Sequence, residues 1–213
     1  MMKNKSTILS TIVSLLPIVL SVAMFDKLPE QIAVHFDNSG NANGYLPKAL
    51  AAFGLPILLA AINAYSCFRV NKDPKNEYAS DSIKSLSRWL IPVLSVITVP
   101  ATLFMAMGAS IPFVLIIEAI AGVVVVICGN YLPKCKRNYT VGIKLPWTLD
   151  NEDNWNCTHR FAGFVWVIGG VILLLRAFLN LSRYITIAVI ALLIVLPFIY
   201  SYMHYRKQIR RAK

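Results

Sequence analysis

The chain has 213 residues, 57% of them hydrophobic and only 15% charged, with a mean hydropathy of +0.61. A soluble domain carries nearer a quarter charged residues, and this sequence does not supply the water-facing surface such a domain needs. The net charge of +11 would suit a nucleic-acid binder, but in a membrane protein excess Lys and Arg collects in cytoplasmic loops and sets orientation.

Apolar runs long enough to cross a bilayer recur along the chain. The first, about Ser6 to Phe25, follows Lys3 and Lys5 as a signal peptide would. Ser21-Val-Ala-Met-Phe-Asp-Lys is a poor cleavage site, so the run reads as an uncleaved helix. A polar loop at 26–48 follows. In it Ile32, Val34 and Phe36 alternate with Ala33, His35 and Asp37, and Asp37-Asn-Ser-Gly and Asn43-Gly are turn signals. This predicts a small ordered cap, a β-hairpin ending at Lys48. His35 and Asp37 are two ligand types without a third, so a hydrogen bond within the cap and a capped turn are expected of them rather than a metal.

The second run covers about 49 to 68, and the remaining four cover about 86–107, 111–131, 161–179 and 184–205. At ~1.5 Å per residue each reaches roughly 28–33 Å, enough for a hydrocarbon core of ~30 Å. Pro17, Pro56, Pro92, Pro100, Pro112 and Pro197 lie in or at the ends of these runs. They predict kinks whose freed carbonyls are satisfied by neighbours.

With the N-terminus inside, seventeen of the 21 Lys and Arg fall on the cytoplasmic side, leaving Lys27, Lys48, Arg176 and Arg183 outside. That asymmetry predicts an all-α integral membrane protein of six transmembrane helices, N-in and C-in, with an extracellular cap between helices one and two. It also accounts for the pI of about 9.7 with no direct nucleic-acid partner. The expected organisation is a two-helix unit at 1–70, a cytoplasmic linker at 71–85 and a four-helix unit at 86–213 with a cytoplasmic loop at 132–160. Inside the spans, Asn63 reads as interhelical glue. Glu118 and Arg176 both fall in the outer half and can pair, or Arg176 can snorkel to headgroups.

The most distinctive stretch is the polar segment from Gly129 to Gly163. Asn151 or Asp150 can cap a short helix with Glu152 and Asp153 in its first turn. Trp147 and Trp155 suit a membrane–water interface, and Lys134, Lys136 and Arg137 suit positive-inside anchoring. Thr158-His-Arg160 reads as the opening of helix five. His159 is of a type that can titrate near neutrality, and Arg160 can meet a phosphate headgroup or Asp150, Glu152 or Asp153. Cys67, Cys128, Cys135 and Cys157 show no CxxC spacing, which argues against a disulfide framework. Cys135, Cys157 and His159 offer three zinc-ligand types without a fourth, so no metal or other cofactor is expected. No paired carboxylate set, nucleophile motif or HExxH site occurs, so no catalytic residue is assigned and the chain does not read as an enzyme.

Two blocks carry a family resemblance. Gly129-Asn130-Tyr-Leu-Pro133, then Asn138-Tyr-x-x-Gly142-Ile-Lys144-x-Pro146-Trp147-Thr148, then Trp155-x-x-Thr158-His159-Arg160-x-x-Gly163 resemble the SdpI family of bacterial immunity proteins. Leu28-Pro-x-x-Ile32-x-x-His35-Phe36, followed by Gly40, Gly44 and Lys48, is similar to the domain of unknown function at the N-terminus of many SdpI-like proteins. Cys135 and Cys157 depart from the pattern. The resemblance implies a multi-pass protein of the bacterial cytoplasmic membrane that protects its producer from a secreted toxic peptide. It implies three partners: that peptide, membrane lipids and a cytoplasmic helix-turn-helix repressor held at the membrane as a signal. His35, Phe36, Gly40, Gly44 and Lys48 would then recognise the toxin. The motif residues of the second block would form a signalling surface or a clamp, with Trp147 and Trp155 as docking anchors and Lys144 and Arg160 as polar contacts. Two other classes compete: a small secondary transporter or channel past Asn63, Glu118 and the helix prolines, and a membrane-embedded hydrolase using His35 or His159.

Overall fold

The computed structural model describes residues 2–37, 40–72, 81–139 and 141–211. In chain order its elements are α1 (Met2–Leu15), α2 (Pro17–Met24), β1 (Gln31–Phe36), β2 (Ala42–Pro47), α3 (Leu55–Lys72), α4 (Asp81–Ala106), α5 (Phe113–Tyr131), α6 (Pro146–Asp150), α7 (Glu152–Phe178) and α8 (Arg183–Arg211). Among the described residues six helical stretches are long and apolar enough to cross a membrane, the first being Lys5–Lys27 and the last Arg183–Arg210. The chain is a helical multi-pass membrane protein with one small two-stranded sheet among the described residues.

The polar ends of the helices run further than the apolar runs suggest. The fifth span starts at Glu152 rather than near Phe161. Asn151 caps it, its Oδ1 accepting the Asn154 N–H at 2.9 Å. Glu152 and Asp153 then complement the positive end of the helix. Thr158-His159-Arg160 therefore lies inside α7 instead of opening it, and the short helix expected at Asn151 is the first turn of the span. The expected linker at 71–85 lies mostly outside the described residues; α3 runs to Lys72 and α4 begins at Asp81.

The chain forms two compact units, Met1–Asn71 with Lys84–Ile116, and Lys72–Ile83 with Ile117–Lys213. In the first, β1 and β2 pair antiparallel, with Ile32 opposite Leu46 and His35 opposite Gly44. The alternation predicted for this loop decides what is buried. Ile32 is fully enclosed and packs with Leu28, Ala51, Ala52, Val99 and Leu103, while His35 and Tyr45 are exposed. The hairpin is thus rooted in the helices by Ile32, with Val34 and Leu46 packed against the same cluster. A seam of small hydroxyl residues joins those helices. Asn63 is buried and its amide donates to Ser10 Oγ at 3.1 Å, Ser95 Oγ donates to the Ser14 carbonyl at 2.7 Å, and Arg88 donates to Ser6 Oγ at 2.9 Å. Small polar side chains let helix backbones approach and hydrogen-bond where no water competes. Pro56 cannot donate to the carbonyl of Ala52; Ser21 Oγ does so instead, at 2.6 Å.

The second unit rests on glycine. A Cβ built on Gly129 would meet the Val167 nitrogen at 2.7 Å and the Gly163 oxygen at 3.0 Å, and one on Gly170 would meet the Val126 nitrogen at 2.7 Å and the Gly122 oxygen at 2.9 Å. The pairs Gly122 with Gly170 and Gly129 with Gly163 therefore bring the backbones of α5 and α7 into direct contact. α7 packs in turn on α8 through Leu173, Val189 and Leu193. Pro197 frees the Leu193 carbonyl, and Trp166 Nε1 donates to it at 3.0 Å. Arg176 is buried and ion-paired with Glu118, so the pairing available to these two charges is the one adopted.

Candidate functional site

The segment between α5 and α7 folds into a tight polar structure on the end of the second unit. After Tyr131 a short 3-10 turn, Leu132–Lys134, brings Pro133 against Gly163. Cys135 is buried. Burial pushes its thiol pKa up, with the Asn138 amide working the other way, so it sits as a packed thiol rather than a thiolate. Its carbonyl accepts the Trp155 indole N–H at 2.6 Å. Asn138 is also buried, donating to the Lys136 carbonyl at 2.8 Å and accepting the Val141 N–H at 2.7 Å.

Gly142 comes next, with φ +115, and a Cβ there would lie 2.5 Å from His159 Nε2 and 3.0 Å from the Trp155 ring. Both the left-handed backbone and the close approach require glycine. This turn aims the Ile143 N–H at His159 Nε2, 3.0 Å away. His159 Nδ1 lies 2.8 Å from the Trp155 carbonyl. Only the neutral imidazole with its proton on Nδ1 satisfies both contacts. The ring stacks on Trp155 with centroids 4.0 Å apart, and both residues are enclosed.

Pro146 then starts α6, where a missing N–H costs nothing. Thr148 Oγ1 accepts the Leu145 N–H at 2.9 Å and lies 2.8 Å from the Ile143 carbonyl. Trp147 reaches across to α8. Its Nε1 donates to Ser201 Oγ at 2.8 Å, and its ring stacks on Tyr205 and meets Phe198 and Tyr202 edge-on. Ser201 Oγ donates in turn to Asn154 Oδ1 at 3.0 Å, which also accepts Thr158 Oγ1 at 3.0 Å, and Asn154 Nδ2 donates to the Ser201 carbonyl at 3.1 Å. Loop, α7 and α8 are tied by one buried, mutually satisfied network, the kind of arrangement that fixes a unique geometry.

Asn138, Gly142, Trp147, Thr148, Trp155, Thr158 and His159 thus come together, with Pro133 and Pro146 shaping the turns. Asn130, Lys144 and Arg160 do not join them; all three are exposed. Trp155, fully buried, cannot serve as a surface docking anchor as the sequence suggested. The sequence reading missed Asn154, Ser201 and Tyr205. The available signal was their type: a serine in the last span and an asparagine in the first turn of another, both polar where lipid or a partner must answer them. Among the described residues His159 does not group with Cys135 and Cys157; Cys157 groups with Asp153 and His204.

At the hairpin, Gly40 turns with φ +84, and Asp37 Oδ1 accepts the Asn41 N–H at 2.9 Å; residues 38 and 39 lie outside the described ones. His35 Nδ1 is 2.5 Å from Asn43 Oδ1. Gly44 faces His35 so closely that a Cβ would lie 2.8 Å from the His35 Cβ. Phe36 packs on Phe113, centroids 5.0 Å apart. Lys48 pairs with Glu30 at 2.7 Å and lies over the Phe25 ring.

Comparison with known proteins falls on these same two features. The model of the SdpI/YfhL protein family matches residues 134–201, and that of a domain of unknown function, DUF1648, matches residues 12–60. The chain is also similar to Immunity protein SdpI of Bacillus subtilis (strain 168), 27% identical over 206 residues, covering 95% of this chain and 97% of that protein. The chain is thus similar to the SdpI family over residues 134–201. No solved structure matches it. The SdpI segment runs from the start of the loop to Ser201, and so encloses the polar network from Cys135 through Asn154 to its last hydrogen-bonding partner. The DUF1648 segment encloses the hairpin together with Ser21, Ala52 and Pro56.

Proposed function

We propose that this chain is a membrane immunity protein that protects the cell making it from a secreted, membrane-active peptide. The observation that carries the reading is the match to Immunity protein SdpI, which runs nearly end to end in both proteins and so includes hairpin, spans and clamp together. The Lys and Arg distribution supports an N-in, C-in orientation. On that topology the hairpin lies outside, where a toxic peptide arrives, and the clamped loop lies in the cytoplasm. The hairpin presents His35 and Tyr45 on a scaffold held by Ile32 and by the Lys48–Glu30 pair. That suits it to contact a peptide before the peptide inserts. The clamp's role is to hold α7 and α8 in one arrangement. Its exposed Lys144 and Arg160 are the groups through which a cytoplasmic repressor would read that arrangement, if this member also signals. The reading is non-enzymatic: protection by binding or by altered helix packing.

The test is survival. The chain is expressed in a sensitive bacterium lacking its own immunity gene, and the cells are challenged with the secreted peptides of the bacterium that carries it. Expressing cells should survive and empty-vector cells should die. His35→Ala with Tyr45→Ala should reduce protection without lowering the amount of protein in the membrane. Equal killing of both strains, with the protein present in the membrane, refutes the reading.

A further inference from the structure

One cluster of ligand-type side chains stands apart from the clamp. Asp153 and Cys157 lie one turn apart on α7, and His204 and Gln208 one turn apart on α8; the two pairs meet where these helices pack. His204 Nε2 is 2.8 Å from Asp153 Oδ2. Gln208 Nε2 donates to the same oxygen at 2.9 Å and lies 3.2 Å from His204 Nε2. Cys157 Sγ lies 3.8 Å from Asp153 Oδ1. Carboxylate oxygen, imidazole nitrogen and thiol sulfur all fall within 4.8 Å of one another.

An Asp–His ion pair explains only part of this. It needs neither a thiol against the second carboxylate oxygen nor a carboxamide beside the imidazole. We propose that Asp153, Cys157 and His204 form a binding site for a divalent transition-metal ion of the zinc class, with a water held by Gln208 in the fourth position. Bonds of roughly 2.0–2.3 Å in a tetrahedral site separate O, N and S ligands by roughly 3.3–3.7 Å. The observed 2.8 Å from His204 to Asp153 Oδ2 and 3.8 Å from Cys157 to Asp153 Oδ1 lie either side of that range, and the three ligand atoms fall within 4.8 Å of one another, so side-chain rotations would bring them onto one ion. A thiolate beside an imidazole selects zinc-like ions over Mg²⁺ and Ca²⁺, which prefer all-oxygen shells. On binding, the Cys157 thiol releases its proton to solvent, and thiolate and Asp153 carboxylate together balance the dication. The site is held in advance: the Asn154–Ser201 hydrogen bonds lie next to Asp153 and one turn from His204, fixing the two helices in register. A bound ion would staple the start of α7 to the last turns of α8. The proposal does not depend on the immunity reading.

The probe is Co²⁺, followed by Zn²⁺ competition, on the purified full-length protein in detergent. The expected result is one bound ion per chain, a thiolate-to-cobalt charge-transfer band, and visible bands of tetrahedral intensity that Zn²⁺ removes. Cys157→Ser should abolish the charge-transfer band. Asp153→Asn and His204→Ala should each weaken binding by about tenfold or more. Cys135→Ser should leave the spectrum unchanged. Zn²⁺ should raise the melting temperature of the wild type and not of Cys157→Ser, whose metal-free melt reports whether it folds. A six-coordinate spectrum, a charge-transfer band that survives Cys157→Ser, or Zn²⁺ stabilisation unaffected by both Cys157→Ser and His204→Ala would overturn the site and leave an ion pair only.

Discussion

Gly170→Ala tests how closely α5 and α7 pack. The added methyl would stand 2.7 Å from the Val126 nitrogen and 2.9 Å from the Gly122 oxygen. Carbon contacts settle near ~3.5–4.0 Å, so α5 must retreat by roughly 0.7 Å or more, and backbone atoms have no rotamer through which to yield. Overpacking of this kind costs about 1–3 kcal/mol. Replacing glycine within a helix returns up to about 1 kcal/mol. The net loss is on the order of 1–2 kcal/mol, or roughly 2–8 °C in melting temperature for a chain of this size. Gly54→Ala is the control. There the nearest contact would be 3.5 Å, to Leu50 Cδ2, so only the propensity gain remains. Both variants would be melted in detergent while a thiol-reactive fluorophore reports exposure of the buried cysteines. If Gly170→Ala melts together with or above Gly54→Ala, the direct backbone contact is wrong.

Three further outcomes follow from the same geometry. Ser21→Ala leaves the Ala52 carbonyl without its 2.6 Å donor and should cost about 1–3 kcal/mol; an unchanged melt would mean another group answers that carbonyl. Trp166→Phe keeps the ring's bulk but orphans the Leu193 carbonyl freed by Pro197, and should cost a similar amount, whereas in a Pro197→Ala background its effect should shrink. For the ion pair, Glu118→Arg or Arg176→Glu alone should lower the folded yield in membranes more than the two together; a swap no better than the single changes would refute the pairing as a stabilising contact.

Much of this fold is legible because a membrane leaves a chain few options. Length and hydropathy identify six spans, and the alternation Ile32-Ala33-Val34-His35 identifies the hairpin. Span ends were less legible for a physical reason. Hydropathy marks where lipid begins, while hydrogen bonding and caps decide where a helix begins, and Asn151 starts α7 well outside its apolar run. The clamp was half legible. Trp147, Trp155 and His159 stood out as costly residue types, but the sequence suggested Trp147 and Trp155 as interface residues or docking anchors and gave His159 no partner. Their partners are groups that a sequence cannot pair in advance: the Cys135 carbonyl, the Ile143 N–H, and Ser201 more than fifty positions from Trp147. The seam of serines in the first span was missed because each serine looks like an ordinary tolerated polar residue until its partner is known.

His159 is where clamp and function meet most testably. Its Nε2 accepts the Ile143 N–H at 3.0 Å in a setting where the ring is almost wholly enclosed. His159→Gln offers an oxygen at a similar reach and keeps the acceptor. His159→Leu fills the space but leaves that N–H buried and unmet, at about 1–3 kcal/mol. A global melt would mix this loss with changes in packing, so the local readout is tryptic cleavage at Arg137 and Lys144, which lie in the clamped segment. Cleavage should be slow in the wild type, slightly faster in His159→Gln and fastest in His159→Leu. Equal protection in all three would show that the hydrogen bond does not hold the loop. If the clamp is needed for immunity, cell survival should fall in the same order. Survival that stays level while the loop opens would separate protection from the clamp and assign it to the hairpin and the spans.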